Sequence, residues 1–481
     1  MCYNRRMKFY ISTSIPYVNA PGHIGHALEF VQADALARWH RQKEQDVFFL
    51  TGTDEHGAKI VKAASQQNLP PQQFVDGTAE KFRELARALN ISNDDFLRTT
   101  DQKRHWPSVE AVWKQLREKG DLYEKEYEGL YCVGCEAFIT LKDLADGKCK
   151  IHLTEPERIK ERNWFFRLSK YESQIREALE KDVLRIVPET RKREMLSFVS
   201  EGLQDVSFSR PRKDLAWGIP VPGDDTQTIY VWADALVNYI SVLGYPNGEK
   251  FKKYWPADIH VVGKDILRFH ATIWPGILLA LDLALPHTIF VHGFINVGGK
   301  KMSKSLGNVV DPLHLIDQYG TDAVRYFLLR EIPSAEDGDF TEEKFQERYN
   351  ADLAAGLGNL AARVLKMAQN AGVPHAEKTT NTDIQELIGK TRKDVEEALT
   401  EFRFNAALES IWGVIHSCDR LIEQKRPWEE SAGQKETIVA LLFALSFLGE
   451  ILGPFLPETS EKLAQQLKTG LGESLFPRKN A

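Results

Sequence analysis

Apolar residues follow two rhythms along this chain. From Lys8 to Ser14, Asp46 to Gly52, Thr228 to Trp232, Asp258 to Gly263 and Thr288 to Gly293 they form short, nearly unbroken runs. Runs of that length, bounded by turn residues, predict strands buried on both faces. Pro16, Asn19, Pro21 and Gly22 predict a loop after the first run. Beyond it Ile24, Leu28, Val31, Ala35 and Trp39 recur at helical spacing. Strands alternating with helices predict an α/β domain with a doubly wound parallel sheet. In such sheets ligands bind beyond the carboxyl ends of the strands.

The second rhythm takes over late in the chain. After about Thr341 the strand-like runs stop, and Glu342–Asn370, Asp383–Glu401, Asn405–Lys425, Gly433–Leu452 and Pro457–Leu467 carry amphipathic helical patterns. They predict a C-terminal α-helical bundle. The first rhythm also breaks across 121–212, which is charged and holds three of the five cysteines, as an insertion would. The expected organisation is therefore 1–120 and 213–293 as two halves of one α/β domain, 121–212 as the insertion, 294–348 as a linking region and 349–481 as the bundle. A chain of 481 residues, at ~150 residues per domain, has room for roughly three domains.

Composition narrows the function. A net charge of −6 excludes a generally basic coat, so any nucleic-acid contact must be local. The most apolar stretch, Ile438–Gly449, is too short to span a membrane. Residues 1–6 lead into a strand rather than a signal core, and Met7 stands directly before that strand, so 1–6 read as a start-site extension. A cytoplasmic protein is expected. Five cysteines in so long a chain are no disulfide framework.

Four constellations carry chemistry. Pro21-Gly-His-Ile-Gly-His26 stands where the first strand turns into the first long helix, and His23 and His26, three apart, predict two imidazoles on one face of its first turn. A helix start suits phosphate, and Gly25 would let a flat base lie against the backbone. Taken alone, the segment reads equally well as a capped surface helix. Gly298-Gly-Lys-Lys-Met-Ser-Lys-Ser305 puts Lys300, Lys301 and Lys304 on a glycine-hinged loop, suited to closing over a polyphosphate or, as a bare charge run, to solvent. Cys132-Val-Gly-Cys135 and Cys149-Lys-Ile-His152 are two tight pairs of soft ligands, the pattern of a closed, structural zinc site; unpaired thiols or a redox pair are the alternatives. In the bundle, Asn359 and Arg363 share a helical face and Trp428 follows a helix end, a set that can stack and bond single-stranded bases or simply cap and solvate helices.

His23-Ile-Gly-His26 and Lys300-Lys-Met-Ser-Lys-Ser305, in that order and context, resemble the paired signature of class I aminoacyl-tRNA synthetases. The resemblance covers nearly the whole chain. It implies a Rossmann-like catalytic domain in which His23 and His26 bind ATP phosphates and Lys301 and Lys304 hold the departing pyrophosphate. Ser14-Ile-Pro-Tyr17, Thr51-Gly-Thr-Asp-Glu-His-Gly57, Val231-Trp-Ala-Asp-Ala-Leu-Val-Asn-Tyr239 and Gly263-Lys-Asp-Ile-Leu-Arg-Phe-His270 are similar to the methionyl-tRNA synthetase family. That likeness implies that Asp54 receives the ammonium of L-methionine. Ser14 and Ile15, with Tyr17, Trp232, Leu236, Tyr239 and His270, would line the thioether pocket, where some relatives carry proline at the place of Leu236. Arg210, Lys264 and Asp265 would support the site. It further implies a zinc knuckle in the insertion, where His152 departs from the usual four cysteines, Mg2+ with ATP, and an anticodon read by Asn359, Arg363 and Trp428 of the tRNA(Met).

Residues and likeness agree on the chemistry. A thioether is polarizable and packs well against aromatic rings, and an ammonium wants a fixed carboxylate. About ninety residues of insertion, much of it cysteine cluster, leave little room for the hydrolytic editing domain of the larger aliphatic relatives. The reading is a monomeric methionine–tRNA ligase. Two rivals stand beside it: a cysteine-specific member with zinc at its active site, and a tRNA-binding homologue without catalysis.

Overall fold

The computed structural model describes residues 7–134, 137–139, 141–151, 153–302, 307–373, 378–429, 433–470 and 474–479. The first apolar runs do form strands. Lys8–Thr13 (β1), Asp46–Thr53 (β2), Asp95–Arg98 (β3), Arg185–Val187 (β4), Ile259–Gly263 (β5) and Thr288–His292 (β6) make one six-stranded sheet in the order β3-β2-β1-β5-β6-β4. β1 runs parallel to β2 and to β5, β2 to β3, and β6 to β4. Ile11 sits opposite both Phe49 and Ile259. Tyr10, Ile11, Phe49 and Leu50 are fully buried, as continuous apolar strands covered on both faces must be. Chain order reverses between β1 and β5, which puts the ligand crevice of this sheet class beyond those two carboxyl ends.

One expected strand is different. Thr228–Trp232 does not join the parallel sheet. Asp224–Ile229 pairs antiparallel with Ser209–Pro211 and Pro220–Val221, and the chain then enters a helix, Val231–Ala235, with the Asp234 N–H on the Tyr230 carbonyl at 3.0 Å. A short apolar run serves a buried helical turn as well as a strand. Conversely β4, inside the charged stretch, is an edge strand of the central sheet.

The insertion is built on a long antiparallel pair. Leu122–Cys132 lies against Glu157–Phe166 from Leu122 opposite Phe166 to Tyr131 opposite Glu157. A small hairpin, Leu144–Ala145 with Lys148–Cys149, follows.

The chain divides into two compact units, 1–22 with 45–84 and 93–291, and 23–44 with 85–92 and 292–481. The sheet and insertion make up the first. The second holds the long helix Ile24–Gln42 (α1), Thr321–Arg330 (α2), and the bundle helices Asn359–Asn370 (α3), Thr382–Thr400 (α4), Phe404–Lys425 (α5), Gln434–Ile451 (α6) and Pro457–Thr469 (α7). The stretch expected as one helix from Glu342 runs as Glu342–Arg348, a wide π-helical segment Tyr349–Gly358, and α3. Within this unit Arg325 of α2 is fully buried; it pairs with Asp34 of α1 at 2.7 Å and donates to the carbonyls of Leu89, Pro454 and Phe455. Burial by itself would raise the Asp34 carboxyl; Arg325 and Arg38 hold it below the usual range. Among the described residues no helix is long and apolar enough to cross a membrane.

Candidate active site

In the first unit the residues expected around methionine gather beyond β1, β2 and β5. Asp54 follows β2 and is 6% exposed. Its backbone is stitched to the loop after β1: its N–H donates to Pro16 O at 2.9 Å and its carbonyl accepts from Val18 at 3.1 Å, so Tyr17 and Asp54 form a bridge. Ser14 is buried and bonded through its N–H to Val261 of β5 at 2.9 Å. Ile15 is half-buried and packs on Gly52, where a Cβ would stand 3.0 Å from its Cγ2 and 2.1 Å from the Leu97 carbonyl oxygen. No larger residue fits there.

The apolar wall comes from the helical turns after Tyr230 and from the segment after β5. Leu236 and Tyr239 are about 1% exposed, Trp232 half-buried. Trp232 stacks on Phe269 with centroids 3.8 Å apart and planes 6° from parallel. The Tyr239 hydroxyl lies 2.7 Å from His270 Nε2, while His270 Nδ1 faces the Ile266 carbonyl at 2.9 Å. Those partners assign the tautomer: Nδ1–H donates to the carbonyl and Nε2 accepts from tyrosine. Burial lowers the His270 pKa to about 4, so the ring is neutral at pH 7. Behind it His260 faces Ser12 Oγ at 2.7 Å, and burial, then His270, keeps it well below the usual histidine range.

The supporting residues are spread over the same unit. Lys264 and Asp265 occupy the turn directly after β5. Arg210 is buried in the small antiparallel sheet, where Nη1 donates to Ser207 Oγ and the Ser209 carbonyl and the guanidinium lies over Tyr131 and Tyr230 at 5.1 and 4.8 Å.

The paired signature belongs to the second unit. His23 is the N-cap of α1 with an extended backbone rather than part of its first turn. Its Nδ1 accepts from the Gly25 N–H at 3.1 Å, and its own N–H donates to His26 Nδ1 at 3.1 Å. The rings stack with centroids 3.9 Å apart. This corrects two expectations. The first-turn N–H groups are not simply open to phosphate: Gly25 bonds His23, and Ile24 donates to Val310 O at 3.2 Å. Gly25 is crowded by the His23 ring: a Cβ there would sit 3.0 Å from its Cε1, and the ring would have to give by a few tenths of an ångström. Burial, then His23 and His292, lowers the His26 pKa well below the usual range. A neutral ring accepting at Nδ1 carries its proton on Nε2, so His26 is a hydrogen-bond donor at that atom, not a cation.

Lys301 is exposed on a two-residue strand opposite Ile295–Val297, with Gly298 and Gly299 turning at φ 59 and 73°. Its Nζ lies 5.3 Å over the Phe294 ring. Met302 Cε comes within 3.8 Å of the Cβ position of Gly25, so the two signature segments meet. Lys304 lies outside the described residues.

Of the cysteine cluster, Cys132 ends the long strand and Cys149 stands in the small hairpin; they are 0% and 1% exposed. Cys135 and His152 lie outside the described residues. Leu141, Ile151 and Leu153 nearby are exposed while the two thiols are buried. Cys418 lies inside α5, where burial pushes its thiol up to about 12.

In the bundle Asn359 is exposed at the start of α3. Arg363, one turn on, reaches Glu423 at 2.8 Å and Asp419 at 3.7 Å, on the last turns of α5. That helix ends at Arg426 in the left-handed region, and Trp428, 49% exposed, follows. Arg363 and Trp428 therefore share one end of α5, and Asn359 lies one turn before Arg363 on α3.

Sequence reasoning passed over His56, His105 and Asp234. Asp234 is bonded by both histidines, and His56 and Asp234 stand inside the segments quoted for Asp54 and Trp232. The signal was an ionisable residue two places from each residue expected to meet methionine.

A family profile described as tRNA synthetases class I (M) matches residues 9–143 and 139–365, and an anticodon-binding domain of tRNA ligase matches residues 382–480. The methionine–tRNA ligase of Caldanaerobacter subterraneus subsp. tengcongensis is 44% identical over 480 residues, 97% of this chain and 74% of its own. That of Clostridium tetani is 43% identical, over 98% of this chain and 78% of its own. Mycobacterium tuberculosis methionyl-tRNA synthetase in complex with methionyl-adenylate superposes with a TM-score of 0.92 at 36% identity, covering 98% of this chain and 100% of that one. The chain belongs to the class I aminoacyl-tRNA synthetases and, within them, to the methionyl-tRNA synthetase family. A cysteine-specific member is set aside by these relatives.

Proposed function

We propose that this chain is a methionine–tRNA ligase that activates L-methionine with ATP and transfers it to tRNA(Met). A methionine carboxylate oxygen attacks the α-phosphorus of ATP, the bond to the leaving pyrophosphate breaks, and methionyl-adenylate forms. The hydroxyl of the terminal adenosine then attacks the methionyl carbonyl and AMP leaves. The enzyme supplies no nucleophile, so catalysis rests on positioning and on stabilising phosphate charge.

Asp54 receives the ammonium, supported by its burial and by the backbone bonds that fix it to the Pro16–Val18 loop. Trp232, Leu236, Tyr239 and His270 receive the side chain. With His270 neutral and bonded to Tyr239, that wall offers the thioether no charge. His23 and His26 donate Nε2–H to phosphate oxygens, and Lys301 and Lys304 add the cations. The approach of Met302 to the Gly25 turn is the observation that carries this reading, because it sets the segment that carries Lys301 beside the imidazole stack. Mg2+ accompanies ATP and neutralises phosphate charge.

Cys132, Cys135, Cys149 and His152 hold one structural zinc ion. Support comes from the soft donor set and from two buried thiols beside exposed Leu141, Ile151 and Leu153. The cytoplasm, where such thiols stay reduced, is the compartment. Asn359, Arg363 and Trp428 read the anticodon. One chain carries every proposed group, so the working unit is a monomer.

The test is amino-acid-dependent exchange of labelled pyrophosphate into ATP across all twenty amino acids, without tRNA. Exchange with methionine alone is expected. Exchange with another amino acid overturns the pocket; none at all, in folded zinc-loaded protein, leaves a tRNA-binding homologue without catalysis. Metal analysis should return one zinc per chain.

A further inference from the structure

A buried polar cluster stands behind the methionine wall, and the chemistry above makes no use of it. Asp234 is fully buried on the short helix Val231–Ala235. His56 Nδ1 lies 2.6 Å from its Oδ2, and His105 Nε2 lies 2.7 Å from its Oδ1. Both nitrogens donate, because an ionised carboxylate only accepts. Burial alone would raise the Asp234 carboxyl; His56 and His105 hold it below the usual range, so it stays ionised.

Each histidine is fixed in turn. His105 presents Nδ1 to Ser241 Oγ at 2.7 Å. His56 is gripped edge-on by Trp106 and Trp217, with centroids 6.1 and 5.8 Å away. Trp217 donates its indole N–H to the Glu55 carbonyl at 2.7 Å, closing the cluster on the residue between Asp54 and His56.

A charge this deeply buried is poor evidence of stabilisation, since apolar residues of the same volume often stabilise more. Its place is the telling feature. His56 is two residues beyond Asp54, and Asp234 is two beyond Trp232 and two before Leu236. The bond between them ties the loop that would bind the ammonium to the helix that would grip the side chain. Contacts that hold ligand groups in register lose much of their value when the supporting shell slackens by a fraction of an ångström.

We propose that Asp234, clamped between His56 and His105, is a positioning residue for methionine, fixing Asp54 and the Trp232 wall against each other as one rigid frame. The inference rests on the methionine-activating function proposed above. It requires both ends of the ligand to be read together. Loosening the clamp should weaken the benefit of the ammonium without touching the ATP side.

The test uses the full chain in pyrophosphate exchange, with methionine binding followed by tryptophan fluorescence. Asp234→Asn should raise the methionine KM about tenfold or more, with the ATP KM within about twofold. The preference for methionine over its des-amino analogue, 4-(methylthio)butanoate, should fall by a similar factor. A merely destabilised fold would not change that preference. If Asp234→Asn does not fold, Ser241→Ala, which removes the hydroxyl that His105 Nδ1 faces, should move the same two quantities in the same direction by about threefold. An unchanged methionine KM in folded variants, or methionine and ATP KM rising together, overturns the proposal. Failure of the wild type to exchange with methionine would instead overturn the function.

Discussion

The proposed methionine pocket and the proposed anticodon surface at the end of α5 are built in opposite ways. In the pocket the protein's polar groups are bonded to one another before any ligand arrives: Tyr239 to His270 at 2.7 Å, His270 to Ile266 at 2.9 Å, and Ser12 to His260 at 2.7 Å. A small ligand bound there would meet a set frame, in which each misplaced contact is costly. At the end of α5, Trp428 is 49% exposed and Arg363 is held by Glu423 across an exposed ion pair. A single-stranded loop bound there would meet an exposed surface and exchange one weak pair for stacking. The first arrangement suits discrimination by shape, the second an adaptable, salt-sensitive grip.

The comparison can be broken at several points. The largest effect is expected from Asp54→Ala. Removing the carboxylate leaves an ammonium buried without its partner, and methionine-dependent exchange should fall about 10³-fold, with tRNA charging falling alongside. An effect under tenfold would move the ammonium site elsewhere.

Acid comes next. The His270 pKa is about 4 in the folded chain and ~6.5 in the unfolded one, so as pH falls the unfolded state takes the proton first. Stability should therefore be full above pH ~6.5 and fall by roughly 3 kcal/mol towards pH ~4. His260 and His26, both lowered, act in the same direction. Urea midpoints that stay constant from pH 7.5 to 4.5 would contradict this assignment.

Trp428→Ala should cut charging about tenfold while exchange holds, because base stacking is worth ~1–3 kcal/mol. Equal losses in both assays would remove Trp428 from anticodon reading. The smallest effect belongs to Glu423→Gln. Releasing Arg363 should tighten tRNA binding by less than about threefold at low salt and not at all near 1 M. Filter binding across a salt series checks it.

Much of this was legible in sequence, and what was not has physical reasons. β1 and β2 are unbroken apolar runs, so their burial could be read directly. β3, Asp-Phe-Leu-Arg, buries only Leu97 deeply, and β4 only Ile186; edge strands give so little signal that neither was anticipated. The run ending at Trp232 was misread because a helical turn buried among aromatics has the composition of a strand. Asp54, Trp232 and Tyr239 are proposed for the site through motif likeness. Asp234 and His56 stood in the same motifs and went unnoticed, since a buried ion cluster spread over distant segments has no local pattern. Nor does spacing reveal that Arg325 would be buried against Asp34.

Gly25 has a genetic consequence. Every amino-acid replacement reachable from a glycine codon by one base change brings a Cβ, and at this position it would stand 3.0 Å from the His23 ring. Selection at that codon therefore acts on the empty protein. Such a change would press the His23 ring by a few tenths of an ångström before any amino acid or nucleotide is bound.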